Sequence, residues 1–105
     1  MFKPFFIHRH NGARGFNAIQ RNMPWAFTAK IEPCKDNPRE VLVAVAFCSQ
    51  KDQFCKATGR AEAEQHAFNR INIRHLPRYL AEQDQKLFGG GVSDVGFNYV
   101  LKYVV

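Results

Sequence analysis

Four short stretches of apolar residues along the chain predict β-strands. The aromatic residues 2–7 predict an edge strand or a flap over the core, because Pro4 removes a ladder donor. Residues 25–31 alternate between apolar and polar, which is typical of a sheet with one face in water. Residues 41–48 are apolar on both faces and predict a central strand. Residues 95–105 alternate again and predict a C-terminal strand.

The middle of the chain follows a helical period instead. Ser49 and Asp52 have the spacing of a capping box, which predicts a helix start. Apolar residues then recur at steps of three, four and seven, as on the buried stripe of one helix. These residues are Phe54, Ala57, Ala61, Phe68 and Ile71. Gly59 predicts either a break in this helix or a close approach to the sheet. Residues 77–88 predict a second helix, which three glycines close.

The predicted order is strand, loop, strand, strand, helix, helix, strand. Helices grouped between strands predict an α+β fold, in which a single layer of mostly antiparallel sheet with about four strands packs against two or three helices. We expect the helices to cover one face of that sheet. The length of 105 residues predicts a single domain over 1–105, with a basic, aromatic N-terminal segment and loop over 1–22 and the α+β core over 23–105.

The composition excludes disorder and a membrane span. The chain is 46% hydrophobic and 13% aromatic, which is too apolar for a disordered protein. It has no apolar run of about 18 residues, so we expect no membrane partner. Its start lacks a secretory cleavage site, and its three cysteines, odd in number and without a CxxC pair, favour a reducing compartment. These features predict a cytoplasmic protein.

No catalytic motif is present. The sequence lacks the phosphate-binding, zinc-protease and serine-hydrolase motifs, and its few carboxylates are scattered. Cys34, Cys48 and Cys55 form no compact zinc pattern with the histidines, and no spacing singles out a Cys–His nucleophile pair. We therefore expect no catalytic residue, no metal and no cofactor, and a protein that acts by binding. An enzyme that uses a Cys–His pair is the remaining alternative.

Positive charge is concentrated near the N-terminus. The chain has 15 Lys and Arg against 9 Asp and Glu, a net charge of +6, and it has no acid before Glu32. The loop over residues 8–22 combines arginine, histidine, glycine and an aromatic ring, so it could follow a phosphate backbone while Phe16 stacks on a base. The candidate residues are Arg9, Arg14, Phe16 and Arg21. The alternative is a solvated loop whose arginines keep the protein soluble.

A second basic cluster has helical spacing. On one continuous helix, residues spaced by four would form a single ridge of cations. These residues are His66, Arg70, Arg74 and Arg78, with Lys56 and Arg60 at the same spacing earlier. Such a row is repulsive unless phosphates or an acidic protein surface neutralise it. The alternative is that nearby acids form ordinary surface ion pairs with it. These acids are Glu62, Glu64, Glu82 and Asp84.

Several phenylalanines lie outside the best-patterned elements. They are Phe2, Phe5, Phe6 and Phe16. An exposed aromatic patch would mark a protein interface or the seam of a homodimer. The alternative is that these rings fold back over the sheet.

One segment, residues 43–60, resembles a segment of small, mostly uncharacterised bacteriophage accessory proteins. An apolar strand is followed by the box Lys51-Asp52-Gln53-Phe54-Cys55-Lys56, and then by Gly59-Arg60. The resemblance implies a phage origin, and therefore a place in the host bacterial cytoplasm. It also implies action by binding, either to nucleic acid or to a host transcription, replication or defence machine. It carries no catalytic residue.

The preferred hypothesis is therefore a small non-catalytic protein. It engages nucleic acid, or a host complex that handles nucleic acid or acts in defence, through its basic surface. The alternative is a protein-only inhibitor or interaction module that docks on an acidic host protein through aromatic residues.

Overall fold

The computed structural model describes residues 2–10, 24, 26–48, 56–88, 92 and 95–104, with backbone alone at 56, 88 and 95. Four strands and two α-helices are present in these ranges. In chain order they are β1 (Phe5–His10), β2 (Ala26–Pro33), β3 (Glu40–Cys48), α1 (Lys56–Gln65), β4 (Asn69–Asn72) and α2 (Leu76–Phe88). A 3₁₀ turn, Ile73–His75, precedes α2, and a C-terminal 3₁₀ helix spans Val95–Lys102. None of the described helices is long and apolar enough to cross a membrane.

The four strands form one antiparallel sheet in the order β1-β2-β3-β4. The predicted α+β fold class is therefore confirmed. The predicted places of β1 at an edge and of β3 in the centre are also confirmed. The strand β1 runs to His10 and includes Arg9, so the prediction of a loop at residues 8–10 is wrong.

One face of the sheet, here called the α2 face, carries the large side chains of the core. Ile7, Ala29 and Val45 lie opposite one another on β1, β2 and β3. The helix α2 and the C-terminal 3₁₀ helix cover this face and complete one hydrophobic cluster. Its buried members are Ile7, Phe27, Ala29, Ile31, Val41, Val43, Leu76, Leu80, Ala81, Leu87, Phe97, Val100 and Val104. Pro77 sits in the first turn of α2, where a missing N–H costs nothing.

The other face, here called the α1 face, carries small side chains. They are Ala26, Thr28, Ala44 and Ala46, and all are buried. The helix α1 packs on β2 and β3 here. A Cβ atom at Gly59 would overlap the hydroxyl of Thr28 and lie 3.1 Å from its Cβ. The predicted close approach at Gly59 is confirmed, whereas the predicted wet face is wrong, because helices cover both faces.

The first predicted helix is wrong in its extent and in its buried stripe. It ends at Gln65, and Ile71 belongs to β4, where it pairs with Val41. Ala57 and Ala61 are exposed, and Ala63 is the fully buried residue of α1. Gly59 and Ala63 lie on the inward side of α1, and the predicted stripe misses them because it was aligned on Phe68 and Ile71, which lie beyond the end of this helix. The capping residues 49 and 52 and the Phe54 of that stripe lie outside the described residues.

The predicted C-terminal strand is also wrong, because this segment is the 3₁₀ helix Val95–Lys102. Phe97, Val100 and Val104 are buried, whereas Tyr99 and Tyr103 are exposed. Steps of three and four residues place one side of the segment on α2. The predicted helix over 77–88 is confirmed as α2, which begins one residue earlier, at Leu76.

Candidate nucleic-acid interface

The predicted ridge of cations on one helix does not exist. His66 follows α1, Arg70 lies in β4, Arg74 lies in the 3₁₀ turn and Arg78 lies in α2. The chain leaves the helix because residues 69–72 pair with β3 and complete the sheet. The spacing of four residues along the sequence therefore does not place these side chains on one helical face.

The edge of the sheet nevertheless gathers three of these cations with one that the sequence did not suggest. A groove of about 420 Å³ is lined by Arg39, Asn72 and Arg74. A neighbouring groove of about 340 Å³ shares Asn72 and is lined by Arg70, His75 and Arg78, beside Tyr79 and Glu82. We call this the β4-edge surface. It consists of Arg39, Arg70, Asn72, Arg74, His75 and Arg78.

Hydrogen bonds donated by main-chain N–H groups set the positions of Arg39 and Arg74. The N–H of Ile73 donates to the carbonyl oxygen of Arg39 at 2.8 Å, which joins the turn before β3 to the turn after β4. The Oδ1 of Asn72 accepts from the N–H of Arg74 at 2.9 Å and caps the 3₁₀ turn. The Oδ1 of Asn37 accepts from the N–H of Arg39, also at 2.9 Å. Arg39 was missed because its contact with β4 depends on the strand register.

Arg70 and Arg78 have acidic partners. Arg70 Nη2 lies 3.0 Å from Glu40 Oε1 and 3.3 Å from Asp36 Oδ1. Arg78 Nε lies 3.6 Å from Glu82 Oε1, one helical turn away. The hydrogen bond to Glu40, followed by the charge of Asp36, raises the pKa of Arg70. These two arginines therefore contribute little uncompensated charge.

Arg39 and Arg74 differ from that pair. Both are exposed, and neither forms an ion pair with any residue that the structure describes. Arg39 and Arg74 thus line one groove, and no acidic residue is among the described residues that line it. This groove holds the excess positive charge of the β4-edge surface.

The turn before β3 also contains a thiol. Cys34 is buried, and its Sγ donates to Asp36 Oδ1 at 2.8 Å. This hydrogen bond raises the pKa of Cys34, and burial adds to the effect. The same bond, together with Arg70, lowers the pKa of Asp36. A raised thiol pKa is the opposite of what a cysteine nucleophile needs.

The other predicted basic residues lie elsewhere. Arg60 is exposed on α1, which packs on the opposite face of the sheet from α2, and His66 is exposed just after α1. The backbone of Lys56 begins α1. Arg9 Nε and Nη2 donate to Asp84 at 2.9 and 3.2 Å, so this arginine ties β1 to α2. Arg14, Phe16 and Arg21 lie outside the described residues.

The acidic residues that were expected to pair with the row of cations also lie at different places in the fold. Glu64 lies 3.5 Å from Lys30, Glu82 pairs with Arg78, and Asp84 pairs with Arg9. The alternative of ordinary ion pairs therefore holds for Arg78. Within the described ranges, no three His, Cys, Asp or Glu side chains are grouped as metal ligands would be.

The aromatic residues divide into a packed and an exposed group. Phe2 and Phe5 pack against the core and contact each other with ring centroids 5.8 Å apart. For these two rings, the alternative that they fold back over the sheet is confirmed. Tyr99 and Tyr103 are instead 47% and 58% exposed, and their ring centroids lie 6.4 Å apart.

Comparison with known proteins adds no relative. The segment resembling phage accessory proteins has its central residues, 49–55, outside the described part, and Gly59 and Arg60 lie in α1. A phage origin therefore stays a prediction. No protein-family model matches this chain, and no curated protein or solved structure matches it.

Proposed function

We propose that the protein binds nucleic acid through contacts between the β4-edge surface and backbone phosphates, without catalysing a reaction. The observation that carries the proposal is the pair Arg39 and Arg74. Both arginines are exposed, line one groove and have no carboxylate partner in the described part of the chain. Arginine binds phosphate oxygens in a bidentate manner, and neighbouring cations attract a polyanion more strongly than isolated ones.

The composition of the surface supports phosphate contacts over reading of base sequence. Beside the arginines it offers the side chains of Asn72 and His75, which are ordinary phosphate and sugar ligands. The helix α2 buries one side in the core and presents Arg78 at its start, so we assign phosphate contacts to the sheet edge and not base reading to this helix. Binding should therefore depend strongly on salt and weakly on sequence.

The wider proposal keeps the phage-like role. A nucleic-acid binder of this kind would act in the bacterial cytoplasm on nucleic acid alone or on a host complex that handles it or acts in defence. The net charge of +6 favours such partners.

The test is fluorescence anisotropy with labelled single-stranded DNA, duplex DNA and single-stranded RNA, at about 50 mM and about 200 mM salt. The variant Arg39→Ala/Arg74→Ala should weaken binding several-fold at low salt and reduce the salt slope by about one per arginine. The matched control is Arg60→Ala/Lys102→Ala, which removes two exposed cations outside the β4-edge surface. Equal binding by the two variants, or binding that does not weaken with salt, would contradict the proposal.

The second candidate function is an interaction module or inhibitor that docks on an acidic host protein, and the exposed tyrosines favour it. Tyr99 in the C-terminal 3₁₀ helix and Tyr103 just after it present two exposed rings in contact with each other, and the exposed cation Lys102 precedes Tyr103 in the chain. Aromatic residues with a basic neighbour are typical of protein interfaces. A homodimer through the same rings is a variant of this proposal.

A pull-down from a bacterial lysate, with and without nuclease, separates the two candidates. A partner that survives nuclease and is lost with Tyr99→Ala/Tyr103→Ala would support the interaction module. Partners that all disappear with nuclease would support nucleic-acid binding.

A further inference from the structure

One end of the α1 face is not covered by α1. The helix α1 extends over the sheet as far as the cross-strand row of side chains that contains Lys30, whose ammonium lies 3.5 Å from Glu64. The next row consists of Glu32, Leu42 and Arg70, which are register partners on β2, β3 and β4. This row borders a cavity, and none of the described residues that line the cavity belongs to a helix.

The cavity has the size of a small-molecule site. Its volume is about 680 Å³, within the range of about 300–1,000 Å³ that is usual for ligand pockets. Phe2, Pro33 and Leu42 give it an apolar wall. A second cavity of about 420 Å³ shares Phe2, Pro33 and Cys34 with the first and extends toward Ile73 and Val104. An apolar body therefore has apolar surface to contact at Phe2 in both cavities.

The charges around the first cavity favour an anion. Its two carboxylates already have partners, since Glu32 lies 3.7 Å from Lys30, and Asp36 accepts from Cys34 and Arg70. Lys3 and Lys35 line the same cavity, are exposed, and form no ion pair within the part of the chain that the structure describes. The charge around the cavity that is not paired with a neighbouring side chain is therefore positive.

We propose that this cavity binds a small amphipathic anion, which has an apolar body and one carboxylate, sulfonate or phosphate group. The body lies against Phe2 and Leu42, and the anionic group faces Lys3 and Lys35. This cavity and the β4-edge surface share Arg70, but the lysines tested here are different residues from Arg39 and Arg74, so the two proposals can fail independently. Burial of the apolar body supplies affinity, and the lysines select the charge.

The first test uses 8-anilinonaphthalene-1-sulfonate, which combines aromatic rings with one sulfonate. The folded protein should bind the dye at one saturable site and enhance its fluorescence. Decanoate should displace the dye, and decyltrimethylammonium, which has the same chain with the opposite charge, should not. Displacement by both, or by neither, would contradict the proposal.

The second test locates the site with variants. Lys35→Glu should weaken dye binding about tenfold, as expected when an attractive charge becomes repulsive. The matched control is Lys102→Glu, which reverses an exposed lysine on the C-terminal 3₁₀ helix and should leave affinity unchanged. Amide chemical-shift changes in a ¹H–¹⁵N spectrum should be centred on the strand ends beside Leu42. Equal affinity of the two variants, or shift changes centred elsewhere, would overturn the proposal.

Discussion

The two faces of the sheet are covered by helices in different ways. The α2 face buries large side chains, such as Phe27 and Leu80, and its stability comes from the apolar area removed from water. The α1 face buries little side-chain area, because Thr28 and its neighbours are small and Gly59 brings the helix backbone close. The comparison teaches that a strand such as β2 can be buried on both sides while its sequence alternates like that of a half-exposed strand.

The difference determines what a substitution does on each face. Removing atoms from the α2 face leaves a cavity, and adding atoms to the α1 face produces an overlap. Single substitutions on the two faces should therefore lower the free energy of unfolding by different amounts.

The largest effect is expected from Leu80→Ala, because Leu80 is fully buried in the core of the α2 face. The loss of its contacts and the cavity left behind should lower the free energy of unfolding by about 2–5 kcal/mol. Leu42→Ala is the matched change on the other face, where the leucine is only half-buried. It should cost about 1 kcal/mol. Urea unfolding measures both, and equal losses would contradict the difference between the faces.

An intermediate effect is expected from Gly59→Ala, which should destabilise the protein by about 1–3 kcal/mol through overlap with Thr28. Thr28 is buried, and its hydroxyl forms a 2.9 Å hydrogen bond with His8 Nδ1, so it has little freedom to move away. In a Thr28→Ala background the hydroxyl is gone, and the gain in helix propensity of about 1 kcal/mol should offset the remaining contact. A double-mutant cycle by urea unfolding checks this. A cost that is the same in both backgrounds would show that α1 does not approach β2 at this point.

The smallest effect on stability is expected from Asp36→Asn, and this effect depends on pH. The hydrogen bond from Cys34 and the nearby Arg70 hold the pKa of Asp36 below its usual value of about 3.8. Because this pKa is lower in the folded state, the ionised carboxylate adds stability above the unfolded value, and the gain is lost as the pH falls through the folded value. Asp36→Asn should therefore be less stable than wild type at neutral pH, and the difference should shrink as the pH falls below about 3.8.

Urea unfolding at neutral pH and at about pH 3 measures this difference. Glu62→Gln is the control, because Glu62 forms no ion pair with the described residues and its substitution should leave the profile parallel to that of wild type. If Asp36→Asn also runs parallel to wild type, the contact between Cys34 and Asp36 contributes nothing to folding.

Patterns that are long and regular predicted the fold well. The strand β2 follows from alternation over seven residues, β3 from an apolar run of eight residues, and α2 from a helical pattern over twelve residues. The strand β4 has four residues and one apolar side chain, Ile71, so its own sequence carries almost no strand signal. It is a strand because β3 offers it an edge, which is information from distant residues.

The C-terminal segment illustrates a different limit. Its apolar residues satisfy two periods at once, since Phe97 and Tyr99 are two apart while Phe97 and Val100 are three apart. The contact with α2 selects the second period and leaves Tyr99 exposed. No local feature of the sequence distinguishes the two outcomes.

The candidate interface could be predicted only in part. The sequence identified Arg70, Arg74 and Arg78 as candidates, and the structure brings them to one sheet edge, although for a different reason than a shared helix. It did not indicate that Arg70 and Arg78 would be neutralised by nearby acids. It also did not suggest Arg39, whose place depends on the register of β3 with β4.

The hydrogen bond between the Ile73 amide and the Arg39 carbonyl has a consequence for how this protein can change over generations. The bond is made by the main chain, so it does not depend on which side chains stand at these positions. The main-chain contact beneath the groove is available whichever side chain stands at position 39 or 74. Selection can therefore alter the preferred charge of the partner at this edge by single substitutions, while the scaffold beneath is inherited intact.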